Sequence, residues 1–387
     1  MNTFDLDHAY VAHTYGRFPV EIVSGKGCRV TDSEGNEYID MGTGIAVNTF
    51  GMCDDAWQAA VTEQLGKFQH TSNLYYTAPC AKLAEQLCRR TGMKTVFFSN
   101  SGAEANECAI KAARRYASVR HGIEKPYVIT LVNSFHGRTI TTLAATGQDS
   151  FHTDFLPLTE GFVYAPANDL EAVRMLAEQY DCAAVMFEPV QGEGGVMALE
   201  PDFVRGLTEL AAELDLLLIA DEVQTGNGRC GALYAYMRYG ILPDIVTTAK
   251  GLGGGLPIGA TMLGEKVQDI YTPGLHGSTF GGNPVCCAGA LNILSRLTDE
   301  LMAEVRAKSD YVFAELNGAA GVKSVTGMGL MIGIETEKDV GDVLTACRAN
   351  GVLVIKAKSK VRLLPPLNIP WDDLKTAVAV IKTACAE

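Results

Sequence analysis

Apolar and polar positions follow two regimes along this chain. Between residues 20 and 40, Cys28-Arg29-Val30-Thr31 and Glu37-Tyr38-Ile39-Asp40 flank Ser33-Glu34-Gly35-Asn36, which predicts a hairpin. From residue 55 onward, helical periodicity alternates with short apolar runs. The runs predict strands at Thr95 to Ser99, Tyr127 to Val132, Ala183 to Phe187, Leu216 to Ala220, Ile245 to Thr248 and Thr261 to Gly264. Helical patterns lie between several of them, at Ala103 to Ser118, Leu170 to Gln179 and Asp202 to Leu214. This alternation predicts an α/β fold, a mostly parallel sheet covered on both faces. One long helical stretch spans 285 to 317. The remainder reads as a small α+β unit: Leu330 to Glu335, a helix at 339 to 349, Val352 to Ile355, Val361 to Leu364, and a helix after Pro370-Trp371-Asp372. Gly327 and Gly329 are expected to mark the bend into it.

A chain of 387 residues exceeds one ordinary core. The expected division is a large domain over 51–300 and a small one over 301–387, which the N-terminal segment 1–50 joins. Hydrophobic residues at 47% and charged residues at 20% describe a globular protein. The net charge of -13 argues against non-specific nucleic-acid binding and against an anionic membrane surface. No run approaches the length of a membrane helix, and the acidic start does not read as a signal peptide. Eleven cysteines without a Cys-x-x-Cys pair read as reduced thiols in the cytoplasm. No His-Glu-x-x-His is present, so no metal site is expected.

In open parallel sheets, ligands bind beyond the carboxyl ends of the strands. Five predicted strand ends carry chemistry. At Ser99-Asn100-Ser101-Gly102-Ala103-Glu104 a glycine turn opens a helix, an arrangement that binds phosphate or, more simply, caps the helix through Ser101. In Asn133-Ser134-Phe135-His136-Gly137-Arg138-Thr139, Phe135 is placed to stack on a ring, and Arg138 offers a fork for a carboxylate. A core phenylalanine and a surface ion pair are the plainer readings. Glu188-Pro189-Val190-Gln191-Gly192-Glu193-Gly194-Gly195 sets two carboxylates on a glycine-rich loop, which also suits a solvated turn.

The fourth strand end is Asp221-Glu222-Val223-Gln224. Five apolar residues precede Asp221, so its carboxylate should be buried and in need of a partner. A helix-capping aspartate is the alternative. The fifth is Lys250, between an apolar strand and Gly251-Leu252-Gly253-Gly254-Gly255. Burial lowers a lysine pKa, and a neutral amine is what imine formation and proton abstraction require. The segment matches neither phosphate-loop nor dinucleotide glycine patterns, because the lysine precedes the glycines and Leu256 takes the last position. A lysine for a Schiff base and a carboxylate for a pyridine nitrogen are what pyridoxal 5'-phosphate needs from a protein. Val223 would then press the ring opposite Phe135, and Gln224 would meet its hydroxyl.

Together these runs, with His276-Gly277-Ser278-Thr279-Phe280-Gly281-Gly282-Asn283-Pro284 and Arg362-Leu363-Leu364-Pro365-Pro366, resemble the class III, ornithine-type aminotransferases of the fold-type I pyridoxal phosphate enzymes. The resemblance runs nearly end to end. It implies Lys250 as the catalytic, cofactor-bearing lysine, and the cofactor held by Gly102, Ala103, Phe135, Asp221, Glu222, Val223 and Gln224. Thr279 would reach the phosphate in a neighbouring subunit and Ser278 would lie near the substrate there, which implies a homodimer with shared sites. Arg138 would bind the substrate α-carboxylate and Arg362 that of 2-oxoglutarate. Glu193 would pair with Arg362 until the acid arrives. Compact length and Tyr38 to Val47 resemble the branch that acts on N²-acetylornithine. Ornithine, succinylornithine, N-succinyl-diaminopimelate and 4-aminobutyrate are alternative donors, and a phenol at Tyr15 meeting a free α-amine would favour ornithine. A non-catalytic binding protein on the same fold is the other class of reading, and intact Lys250, Asp221 and Arg138 argue against it. Gly51-Met52-Cys53 stands where many relatives have Gly-His, with no functional account.

Overall fold

The computed structural model describes residues 2–386. Its largest sheet has seven strands, in the order Thr95–Ser99, Gly259–Leu263, Ile245–Thr248, Leu217–Asp221, Cys182–Phe187, Tyr127–Leu131, Phe162–Ala165. Only Gly259–Leu263 runs against its neighbours; the other pairings are parallel. Cys182–Phe187 and Leu217–Asp221 are buried at every position, as strands covered on both faces must be.

Side chains alternate between the two faces with the period of a strand. Ala184, Met186, Leu217 and Ile219 meet the alanine-rich face of helix Gly102–His121, at Ala109, Ala112 and Ala113. Val185, Phe187, Leu218 and Ala220 face the opposite way, into a core with Leu207, Leu210 and Ile293. Burying each valine, leucine, isoleucine, methionine or phenylalanine among them contributes roughly 1.5–3 kcal/mol, so both faces help drive folding.

A second core lies under an antiparallel sheet ordered Val322–Met328, Met331–Thr336, Lys360–Leu363, Ile355–Ala357. Helices Asp299–Leu316, Val340–Ala349 and Trp371–Ala386 cover it. Cys28, Ile39 and Met41 enter the same core because Val352–Leu353 pairs in parallel with Glu37–Asp40.

Several sequence expectations change. The stretch over 285–317 is two helices, Pro284–Arg296 and Asp299–Leu316, because the Thr298 hydroxyl caps the second by accepting from Leu301 N–H. The run Val352 to Ile355 divides between two sheets. Gly327 pairs with Ile332 within the hairpin Val322–Met328/Met331–Thr336 and Gly329 lies in its turn, so neither marks a bend between units. A Cβ at Gly327 would lie 2.0 Å from the Met331 carbonyl oxygen. The strands Phe162–Ala165 and Val322–Met328 and the exposed helix Thr3–Tyr10 were not expected. Both strands lie at sheet edges and are only partly buried.

Candidate active site

The carboxyl ends of the parallel strands open onto one cleft of about 440 Å³. Its lining includes Ser101, Gly102, Ala103, Phe135, Arg138, Asp221, Val223, Gln224 and Lys250. Residues distant in sequence meet here because each ends or follows a strand of one sheet.

Asp221 is the last residue of its strand and is 3% exposed. Its Oδ2 accepts from Asn106 Nδ2 at 2.8 Å and lies 2.7 Å from His136 Nδ1. Its Oδ1 accepts from the Val223 N–H at 3.0 Å. Asn106 also donates to the His136 carbonyl, which ties the Phe135 loop to the helix beginning at Gly102. His136 Nε2 and Asn106 Oδ1 have no protein partner. Sequence reasoning missed Asn106 and His136 as site residues. The available clue was that Asn106 is a polar residue on the apolar stripe of its helix, beside Ala105 and Ala109.

Lys250 follows strand Ile245–Thr248 with a φ of 38°, in the left-handed region that non-glycine residues seldom occupy. Desolvation holds its ammonium below the ordinary lysine value, against the opposing pull of Glu193 and Asp221. The acidic neighbours were not expected, yet burial outweighs them. Gly102 opens the helix that Ser101 caps through the Glu104 N–H. A Cβ at Gly102 would lie 2.6 Å and 2.9 Å from the two Val223 methyls. Glycine there therefore lets Val223 reach the cleft and leaves the helix N-terminus open.

Arg362 and Glu193 meet, Nη1 to Oε1, at 2.5 Å. Arg362 Nη1 also donates to Gln224 Oε1 at 3.1 Å, so Gln224 belongs to this pair as well as to the cleft. Arg138 is exposed, its guanidinium 5.0 Å from the Phe151 ring and 5.8 Å from that of Phe135. Among the described residues it makes no ion pair, which leaves its fork open to a carboxylate. Glu188 also lines the cleft. Burial and then Asp221 push its carboxyl well up, against the N–H groups of Phe135 and Gly192.

Glu222 does not join the cleft. Next to Asp221, it points to the other side, fully buried, and accepts from Thr225 Oγ1 at 2.6 Å and from Tyr236 N–H at 2.7 Å. Its place among the cofactor contacts is corrected to that of a loop anchor. Tyr15 is 73% exposed and lines a separate hollow with residues 3–22, away from this chain's cleft. Thr279 is exposed and outside the cleft, while Ser278 Oγ accepts from Asn100 Nδ2 at 3.1 Å.

The donor set fits pyridoxal phosphate. A buried carboxylate with three donors holds charge for a ring nitrogen, a desolvated lysine faces the same cleft, and an open helix N-terminus lies beside both. Fold and site thus define a pyridoxal phosphate enzyme of fold type I. The aminotransferase class-III family matches residues 10–385. The chain is 49% identical over 384 residues to the acetylornithine aminotransferase of Haemophilus ducreyi, covering 99% of this chain and 98% of that protein. The solved ornithine aminotransferase of Toxoplasma gondii superposes with a TM-score of 0.95 at 33% identity, over 99% of this chain and 94% of the other. The N-acetylornithine aminotransferase of Stenotrophomonas maltophilia does so with a TM-score of 0.85 at 36% identity, over 98% of both. The chain belongs to the class III aminotransferases.

Proposed function

We propose that the enzyme transfers the ω-amino group of N²-acetyl-L-ornithine to 2-oxoglutarate, yielding N-acetyl-L-glutamate 5-semialdehyde and L-glutamate, a step of arginine biosynthesis. The observation that carries this reading is the Glu193–Arg362 pair at 2.5 Å. An ω-amine has no carboxylate on the reacting carbon. Closing Arg362 with Glu193 compensates the buried guanidinium while such a donor reacts, and leaves no anchor for an α-amino acid.

The bound cofactor supplies an electron sink for the carbon that loses its proton. Asp221, held by Asn106, His136 and Val223 N–H, would face the pyridine nitrogen with fixed negative charge. Phe135 and Val223 would form the walls, and the N–H groups of Gly102 and Ala103 would hold the phosphate. Lys250 Nζ, its pKa lowered by desolvation, would take the proton from the substrate carbon and return it. Arg138 would hold the remote α-carboxylate. After the first product leaves, 2-oxoglutarate would displace Glu193 and place its α-carboxylate on Arg362. Thr279, Ser278 and Tyr15 would act across a homodimer, because the exposed positions of Thr279 and Tyr15 lie outside their own chain's cleft. Eleven free cysteines support a cytoplasmic place. The substrates are small molecules, and no described helix is long and apolar enough to cross a membrane.

The close superposition on an ornithine aminotransferase favours ornithine as the second reading. A donor panel of kcat/KM for acetylornithine, ornithine, succinylornithine, N-succinyl-diaminopimelate and 4-aminobutyrate separates the two. Acetylornithine should lead; a lead for ornithine replaces the first reading by the second.

A further inference from the structure

Of the two carboxylates lining the cleft, Asp221 and Glu188, the second has no task in the reaction above. Glu188 directly follows strand Cys182–Phe187 and is 5% exposed. Its Oε1 accepts the Phe135 N–H at 2.8 Å and its Oε2 accepts the Gly192 N–H at 3.2 Å. These N–H groups belong to different loops. The first loop carries the Phe135 wall and Arg138. The second carries Glu193. Gly192 backs onto Gln224, since a Cβ there would lie 2.5 Å from Gln224 Nε2. Gln224 in turn accepts from Arg362. Glu188 therefore ties the cleft wall to the loop that carries Glu193, the partner of Arg362.

We infer that Glu188 is a positioning residue that sets selectivity between ω-amine and α-amine donors. It does so by tying the backbone of the Glu193 loop to that of the Phe135 loop. This deepens, and rests on, the Glu193–Arg362 reading given above. Both oxygens are needed: a glutamine at this position has one carbonyl oxygen, so its amide N–H groups would face one of the two backbone N–H groups and release that loop.

The test compares holoenzyme of the parent, Glu188→Gln, Glu193→Ala and the double variant. One readout is the kcat/KM ratio of acetylornithine to glutamate as amine donor. The other is amide hydrogen exchange across residues 133–138 and 190–195, with 217–221 as the reference. In Glu188→Gln the ratio should fall about tenfold. Exchange should quicken in at least one of the two loops and stay unchanged at 217–221. Added to Glu193→Ala, the same substitution should change the ratio by less than about twofold, because the two act through one device. An additive effect, or an unchanged ratio in Glu188→Gln while Glu193→Ala lowers it, overturns the inference and leaves the role of Glu193 standing. An unchanged ratio in Glu193→Ala removes the underlying reading and the inference with it. Should Glu188→Gln not fold, Glu188→Asp, too short by one methylene to span both groups, carries the same readouts and expectations.

Discussion

Glu193→Ala removes one member of an ion pair whose other member is buried. The Arg362 side chain is 3% exposed and that of Glu193 30%. In the variant, Arg362 Nη1 keeps only Gln224 Oε1, and Nε already lacks a partner. Removing one member of a fully buried pair costs about 3–5 kcal/mol, whereas an exposed pair contributes about 0–1 kcal/mol. A pair closed at one end and open at the other falls between them, at about 2 kcal/mol, which is roughly thirtyfold in an equilibrium constant. The uncompensated guanidinium then attracts any carboxylate that reaches it. Dissociation constants for 2-oxoglutarate should fall roughly ten- to thirtyfold, and glutamate as donor should gain kcat/KM by a similar factor. Acetylornithine, which places no carboxylate there, should change less than about threefold. The denaturation midpoint should fall, and added 2-oxoglutarate should restore it. Single-turnover absorbance changes measure each half-reaction separately. An unchanged ratio between the two donors, or a stability loss that 2-oxoglutarate does not recover, refutes the reasoning.

Three further outcomes follow from the geometry. Lys250→Ala should abolish turnover with every donor, and borohydride reduction followed by mass spectrometry should find cofactor attached to the Lys250 peptide of the parent alone; attachment elsewhere rejects the assignment. Gly102→Ala puts a methyl against Val223, an overpacking worth about 1–3 kcal/mol, so cofactor affinity measured by titration should fall about tenfold or more. An unchanged affinity would show that Val223 is no wall of the ring site. Burial pushes the Glu222 carboxyl up to about 7 from 4.5, against the favourable Thr225 hydroxyl and the N–H groups of Ala235 and Tyr236. The folded protein thus binds this proton more tightly than the unfolded chain does. The contribution is full below pH 4.5 and is lost as pH rises through 7, a span worth up to about 3 kcal/mol. Denaturant titrations of parent and Glu222→Gln between pH 5 and pH 8 should show a decline in the parent that the variant flattens; equal slopes exclude it.

The central strands and the residues at their ends were legible because a strand covered on both faces leaves a continuous apolar run. The first polar residue after that run then stands out, as Asp221 does after Leu216 to Ala220 and Lys250 does shortly after Ile245 to Thr248. Glu222 shows the limit of this reading. The resemblance implied a cofactor contact for it, yet its carboxylate is taken by Thr225 and the Tyr236 N–H. The edge strand Phe162–Ala165 escaped notice although all four of its residues are apolar.

By itself the amino-acid order determined the α/β alternation and singled out Lys250 and the buried Asp221, because each follows from local burial and from the end of one strand. Tertiary structure alone decided what surrounds them. Asn106 reaches Asp221 across 115 residues, and Glu188 joins the loops of Phe135 and Gly192. Such contacts depend on which strands lie side by side, and periodicity within a segment carries no record of its neighbours in space.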